Sequence, residues 1–293
     1  MTPGDVAAAL TASAIWGLSF IAVKFGVRET TPFLLTALRF VFAAFPLVFF
    51  IKPPNTKPSL IVVYGLFIGV GQFGLMFLAI KLGLPIGLAA VISQLQVFVT
   101  ILFAWVLWGE RPRRIQAISA AIALLGICAI GSQRLSGAAL LPFLLAFAAA
   151  AFWGAGNLVG KYVGRVDPLA LIVWSSLVPP LPLLALSIAT EDRAALPALL
   201  HPTPLLIAGV AALAYGGTLT AFALWSRLLA RYPAADVAPF ALAIPVVGMI
   251  AGRVVFNEPT SPIEFLGALL VMAGLSFNVL GERLLTHRRL KAG

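Results

Sequence analysis

Long apolar runs of nearly one length alternate along this chain with short polar ones. A helix needs about 20 mostly apolar residues to cross a hydrocarbon core. Ten runs meet that length, at about 5–24, 33–51, 60–80, 86–108, 114–131, 139–161, 168–189, 204–226, 234–256 and 262–282. The punctuation between them is polar and proline-rich, as in Lys52-Pro-Pro-Asn-Thr-Lys-Pro58. Residues 83–85 and 110–114 form shorter breaks, 134–137 divides the chain in two, and 191–204 is the longest polar connection. No stretch is left for a soluble domain.

The two halves repeat one another. The stretch A-S-A-I-W-G-L-S-F-I-A-V-K at 12–24 returns as A-A-A-F-W-G-A-G-N-L-V-G-K at 149–161, with Trp153, Gly154 and Lys161 each 137 positions after Trp16, Gly17 and Lys24. Near the close of each half, Glu258, Ile263, Ala268 and Gly274 fall 148 positions after Glu110, Ile115, Ala120 and Gly126. One identity in a chain this rich in Ala, Leu and Gly is weak. Two separated matches in the same order, carrying rare Trp and Glu, mark a duplication. Five helices per half is an odd number, so the second half enters the membrane from the opposite side. The expected fold is therefore all-α and integral to the membrane, ten transmembrane helices built as two inverted five-helix repeats. The repeats occupy 5–132 and 138–282, followed by a basic cytoplasmic tail at 283–293. Inverted repeats recur in secondary transporters, with the substrate site near the midplane between the halves. Channels and membrane enzymes also contain repeats.

Composition agrees. The 293 residues are 61% hydrophobic and 10% charged, where a soluble protein carries about a quarter charged residues. A single cysteine, Cys128, excludes an intramolecular disulfide and a thiolate metal cluster. The net charge of +10 is spread over short loops and forms no patch, so it reads as a topology signal rather than as nucleic-acid binding. With the N-terminus in the cytoplasm, thirteen Lys and Arg fall on cytoplasmic segments and six on outer ones, which places both termini inside. The first apolar segment lacks a basic leader and matches the internal segment around Trp153, so no cleavable signal peptide is expected.

Several motifs then carry a resemblance. W-G opens each half, Leu38-Arg39-Phe40 lies in the second helix, and a Gly-Glu or Asn-Glu turn precedes the last helix of each half. Over about residues 5–282 the chain resembles the drug/metabolite transporter superfamily, and within it the EamA-type exporters. The narrower likeness is to the YddG-like exporters of aromatic amino acids. The family commonly has a proline in the fourth helix of each half. Pro245 fits, but the first half has Gln94-Leu95-Gln96-Val97. The resemblance implies a multi-pass inner-membrane protein that exports small metabolites, aromatic or hydrophobic amino acids being expected.

Polar side chains inside spans are costly unless they face partners or water. In the fourth helix Ala89, Ser93, Gln96 and Thr100 form one stripe, with Gln94 turned away from it. Gln72 and Phe73 share a face of the third helix with Gly69 and Met76. Tyr215 and Thr218 share one of the eighth with Phe222 and Trp225, and Trp153 and Asn157 one of the sixth. Trp16 and Trp153 each precede a lysine by eight residues, about 12 Å along a helix, which is too deep for an interfacial belt. Together these residues would line an aromatic-walled cavity with a few amides and hydroxyls, suited to an apolar or aromatic zwitterion. The plainer reading of each is a hydrogen bond to a neighbouring helix. Arg39 is a possible charge partner for a substrate carboxylate, or a group that bonds a neighbouring half-helix end or snorkels outward. Glu110 and Glu258 read as caps of the helices that follow them.

No Asp or Glu lies mid-span, so proton coupling lacks an obvious carrier and a facilitative or exchange mechanism stays open. No G-x-x-x-x-G-K-[ST] run is present, so this chain does not hydrolyse ATP. Nothing suggests an enzyme, a cofactor or a metal. The expected partners are a small-molecule substrate and the lipid bilayer, and a monomer is plausible. A channel-like pore, or a carrier of other metabolites, is the alternative.

Overall fold

A computed structural model of the protein describes residues 1–133, 139–191 and 200–292, with the side chains at 234, 235 and 282–292 left out. Among these residues, ten helices are long and apolar enough to cross a membrane. They are Pro3–Glu29, Pro32–Phe49, Pro58–Lys81, Ile86–Trp108, Arg114–Ser132, Leu140–Val163, Pro168–Thr190, Pro204–Arg231, Ala238–Phe256 and Pro262–Gly281. They match the expected spans. The first and eighth run further, to Glu29 and Arg231, and the last continues as helix to Ala292. The divide at 134–137 and most of the 191–204 connection lie outside the described residues.

Local chemistry sets the helix ends. Proline stands at the start of the first, second, third, seventh, eighth and tenth helices, where its missing N–H is no loss. Thr2, Asp167 and Thr203 accept hydrogen bonds from the first turns that follow them. The tenth helix has a capping box, in which Ser261 and Glu264 exchange backbone and side-chain bonds.

Four helices are discontinuous. The second ends its α-helix at Ala44, next to Pro46, and the seventh breaks between Ser175 and Pro180, as their prolines require. The fourth breaks at Gln94-Leu95 without proline, through tight bonds from Gln94 N to Val91 O and from Leu95 N to Ile92 O. The ninth changes from a 3-10 turn to α-helix at Leu242-Ala243, the same place one repeat later. The third and eighth helices carry a second paired irregularity, π-helical turns at Leu66–Gly74 and Ala212–Thr220, 146 positions apart.

Close backbone approaches join the halves, and they come in mated pairs. The fifth and tenth helices cross on glycines. A Cβ on Gly126 would lie 2.5 Å from the Gly267 carbonyl, and one on Gly274 would lie 2.6 Å from the Ser119 carbonyl. Gly17 lies against Val247 and its mate Gly154 against Val99, with hypothetical Cβ contacts of 2.7 and 2.8 Å. Gly65 and Gly69 let the third helix close on Val178 and Pro179 of the seventh, the packing role expected of such spacings.

Burial differs sharply between the two ends. Every residue of Ile86–Ser93 is buried, whereas Gln96–Trp108 of the same span has no buried residue. Gly87 packs on Met249 and Gly248 on Ala90, so the start of the fourth helix is sealed against the end of the ninth.

The glycine crossing yields a stability prediction. A methyl at Gly126 meets backbone, which cannot swing aside, so Gly126→Ala should cost about 1–3 kcal/mol. Gly160→Ala, whose Cβ would find its nearest atom at 3.8 Å, should be close to neutral. Thermal unfolding of the purified variants in detergent checks this, and equal midpoints for the two would show that the crossing tolerates a Cβ.

Candidate functional site

A cavity of about 300 Å³ lies between the halves. The first helix presents Trp16, Ser19, Phe20 and Val23 to it, one face at helical spacing. The Trp16 indole N–H donates to the Gly217 carbonyl at 2.9 Å. The ring stands edge-on to Phe222 and Trp225, with centroids 5.1 and 5.4 Å away. The third helix contributes Tyr64, Ile68, Gln72 and Met76. That spacing of four would drift around an ideal α-helix, but the wider π turns keep these residues in line.

Most of the residues singled out by sequence lie here. Trp16, Gln72 and Phe73 line the cavity, as do Ser93, Gln94 and Gln96 of the fourth helix and Trp153 and Asn157 of the sixth. Ser93 and Gln94 both line it, where the α-helix ends in a tight turn at Gln94-Leu95. The Asn157 amide donates to Gln96 Oε1 at 2.5 Å and to Thr100 Oγ1 at 3.0 Å, so bonding between helices and cavity lining coexist in one cluster. The Gln94 amide nitrogen is buried without a hydrogen-bond partner.

Two residues fall elsewhere. Tyr215 is 43% exposed and Thr218 is buried behind the wall, while Phe222 and Trp225 do line the cavity. A 3.6-residue period put all four on one face. The π turns of Ala212–Thr220 shift that register, so the first two leave the face of the last two. Sequence reasoning missed Ser19, Phe20, Val23, Tyr64, Ile68, Phe77, Ala241 and Ile244. Repeat arithmetic points to the last two, since Ala241 and Ile244 are the mates of Ser93 and Gln96 at 148.

Arg39 neither snorkels nor bonds a helix end. It is 3% exposed, its Nε donates to Thr218 Oγ1 at 2.9 Å, and its guanidinium lies 3.8 Å from the centroid of the Phe73 ring. Thr218 in turn donates to the Leu213 carbonyl across a π turn.

The two repeated glutamates do not cap the helices that follow them. Glu258 pairs with Lys24 of the other half and accepts from the N–H groups of Ile86 and Gly87 at the start of the fourth helix, at 3.0 and 3.4 Å. Glu110 pairs with Lys161. Both lysines lie over an aromatic ring, Lys24 over Phe256 at 4.6 Å and Lys161 over Trp108 at 4.3 Å. The mated residues thus form mated clusters at opposite ends of the cavity. Side-chain exposure separates them, 21% and 8% for Lys24 and Glu258 against 58% and 54% for Lys161 and Glu110. At the exposed end Tyr232 donates to the Asp5 carboxylate at 2.7 Å, and that bond pushes the Tyr232 phenol up.

The chain is similar over 97% of its length to a probable amino-acid metabolite efflux pump of Salmonella typhimurium, 36% identical over 290 residues that cover 97% of that protein. A protein of the same description from Escherichia coli K12 is 35% identical with the same coverage. A solved crystal structure, 21% identical, superposes on 97% of this chain and 99% of its own with a TM-score of 0.64, so the fold is shared. The model of the EamA-like transporter family matches residues 4–132 and 140–280, one match to each half. The chain belongs to the EamA-like transporter family.

Proposed function

We propose that this protein is a secondary carrier that exports amino-acid-type metabolites with an aromatic or hydrophobic body, by exposing its central cavity to each side of the membrane in turn. One observation carries the reading. The two mated Lys–Glu clusters flank one cavity, and one is buried while the other is exposed. In a pair of inverted repeats, exchanging those environments exchanges the open side. A continuous pore has no use for a seal such as Ile86–Ser93 packed on the ninth helix.

Further features agree. Three tryptophans and four phenylalanines give flat apolar walls, while Gln96 and Asn157 supply amides. The efflux-pump relatives are named for amino-acid metabolites, which supports the amino-acid part of this reading. The positive-inside bias puts the exposed Lys161–Glu110 end in the cytoplasm, with both termini, so the cavity is open to the side from which an exporter loads. Its lining contains no carboxylate, which favours facilitated movement or exchange over proton relay through the cavity.

Uptake of labelled amino acids into proteoliposomes tests the carrier. The flux should saturate, and Trp153→Ala should reduce kcat/KM by about tenfold or more at unchanged membrane level. A flux that rises linearly without saturation would falsify the carrier and favour a pore. The seal is tested separately in a Cys128→Ser background carrying Ser19→Cys in the cavity wall. A membrane-impermeant thiol reagent added from outside should label this cysteine slowly, and faster once Glu258→Gln removes the charge that holds Lys24. Unchanged labelling would mean that the pair does not close that end.

A further inference from the structure

We propose that Arg39 is a carboxylate anchor, so that the cavity selects solutes by their carboxylate and treats the amino group as dispensable. This rests on the cavity being the transport site and adds the part of the solute that is read.

Arg39 stands in the most buried part of the second helix, with Leu35, Thr36 and Ala37 on one side and Phe40 and Ala43 on the other. Thr218 takes its Nε, and Phe73 covers one face of the guanidinium. These contacts fix the plane of the group. Its two Nη groups make no hydrogen bond or ion pair with the described residues, and Arg39 lines the cavity. A guanidinium stays protonated at physiological pH and presents parallel N–H donors that fit the two oxygens of a carboxylate. Held in place beforehand, it loses little freedom when the anion arrives.

Charge balance decides the chemistry of the ligand. Among the described residues, those lining the cavity include one cation, Arg39, and no Asp or Glu. An unpaired cation away from water is costly, and an incoming carboxylate relieves that cost. Gln94, another residue of the lining, has an amide nitrogen that is buried and without a hydrogen-bond partner among the described residues. An ammonium group finds no anion here. It meets only uncharged partners, the hydroxyl and amide oxygens of residues such as Tyr64, Gln72, Gln96 and Asn157 and the faces of aromatic rings, which are weaker than a carboxylate. The carboxylate is therefore the required handle. Removing the amine costs little, whereas converting the acid to an amide removes the anchored charge and leaves Arg39 buried and unpaired.

Thermal stabilisation of the purified, detergent-solubilised protein reads this directly, independent of flux. The probes are alanine, leucine and phenylalanine, each beside its amide, together with 3-phenylpropionate, which is phenylalanine without its amine. At least one acid should stabilise the wild-type protein with an apparent affinity about tenfold or more above its amide, a loss of about 1.4 kcal/mol for the missing charge. 3-Phenylpropionate should match phenylalanine within about threefold, well inside that tenfold span. Arg39→Gln should abolish the difference between acid and amide, and Arg39→Lys should restore part of it. Arg39→Lys also keeps the test sound if Arg39→Gln fails to fold. Equal effects of acid and amide in every pair, including no effect of either, overturn the proposal, as does binding of phenylalanine without binding of 3-phenylpropionate. Saturable proteoliposome uptake with no acid preference would remove the anchor and leave the carrier. Acid-selective binding with no flux under any condition would do the reverse.

Discussion

The Lys24–Glu258 contact meets three needs of a buried interior at once. The carboxylate satisfies N–H groups at the start of the fourth helix, which have no partner within that helix. The ammonium finds a counter-ion and a ring face, Phe256. The two charges, each expensive alone in low dielectric, offset one another. Because Lys24 belongs to one half and Glu258 to the other, the same contact ties the halves together. Around it the first, fourth and ninth helices close with glycines at their contacts. A Cβ on Gly252 would come within 2.4 Å of the Glu258 carboxylate, so the absence of a side chain there is what lets that group reach the helix start.

A membrane interior tolerates polar groups only where they are satisfied or serve a solute. The cavity shows both solutions. Gln96, Thr100 and Asn157 satisfy one another across two helices. Arg39, which lines the cavity, is bonded by Thr218 at Nε, and its Nη groups make no hydrogen bond with the described residues. On the reading proposed above, the contrast separates residues that bond neighbouring helices from one that is left to bond a solute. What separates them is the number of donors left over once the neighbouring helices have been bonded.

The helices, their number and the inverted repeat could be read from the sequence because long apolar runs and rare Trp and Glu survive in order. Most of the cavity was also legible, since Trp16, Trp153, Gln72 and the fourth-helix amides sit where midplane polarity is costly. Tyr215 and Thr218 were misplaced because an α period was carried through turns that are π-helical, and no residue in A-L-A-Y-G-G-T-L-T announces that change. Gln94 was turned away from Ser93 for the related reason that its tight turn needs no proline. Glu110 and Glu258 were taken as local caps because sequence adjacency favours the helix that follows. Their true partners lie 51 and 234 positions away. Those partners were nevertheless marked, since the same repeat that aligns the glutamates also aligns Lys24 with Lys161.

The repeat also separates motion from recognition. Trp16 and Trp153 are mates and both line the cavity, and so do Met76 and Phe222, so the aromatic and apolar frame is close to symmetric. Other mated positions have diverged in chemistry while keeping their place. Phe20 answers to Asn157, Ala241 to Ser93 and Ile244 to Gln96, and all six face the cavity. In each pair the polar member and the apolar member come from different halves, and Arg39 is answered in the second half by Ser175 or Trp174, not by a second cation. At each of these positions the cavity thus offers a polar group from one half opposite an apolar group from the other. On the carrier reading proposed above, an amphipathic solute would have a preferred orientation there while the mated latches at either end exchange their roles. On that reading, identical halves would supply the two states but offer the solute two equivalent poses, and the divergence at these few positions is what would make a symmetric frame selective.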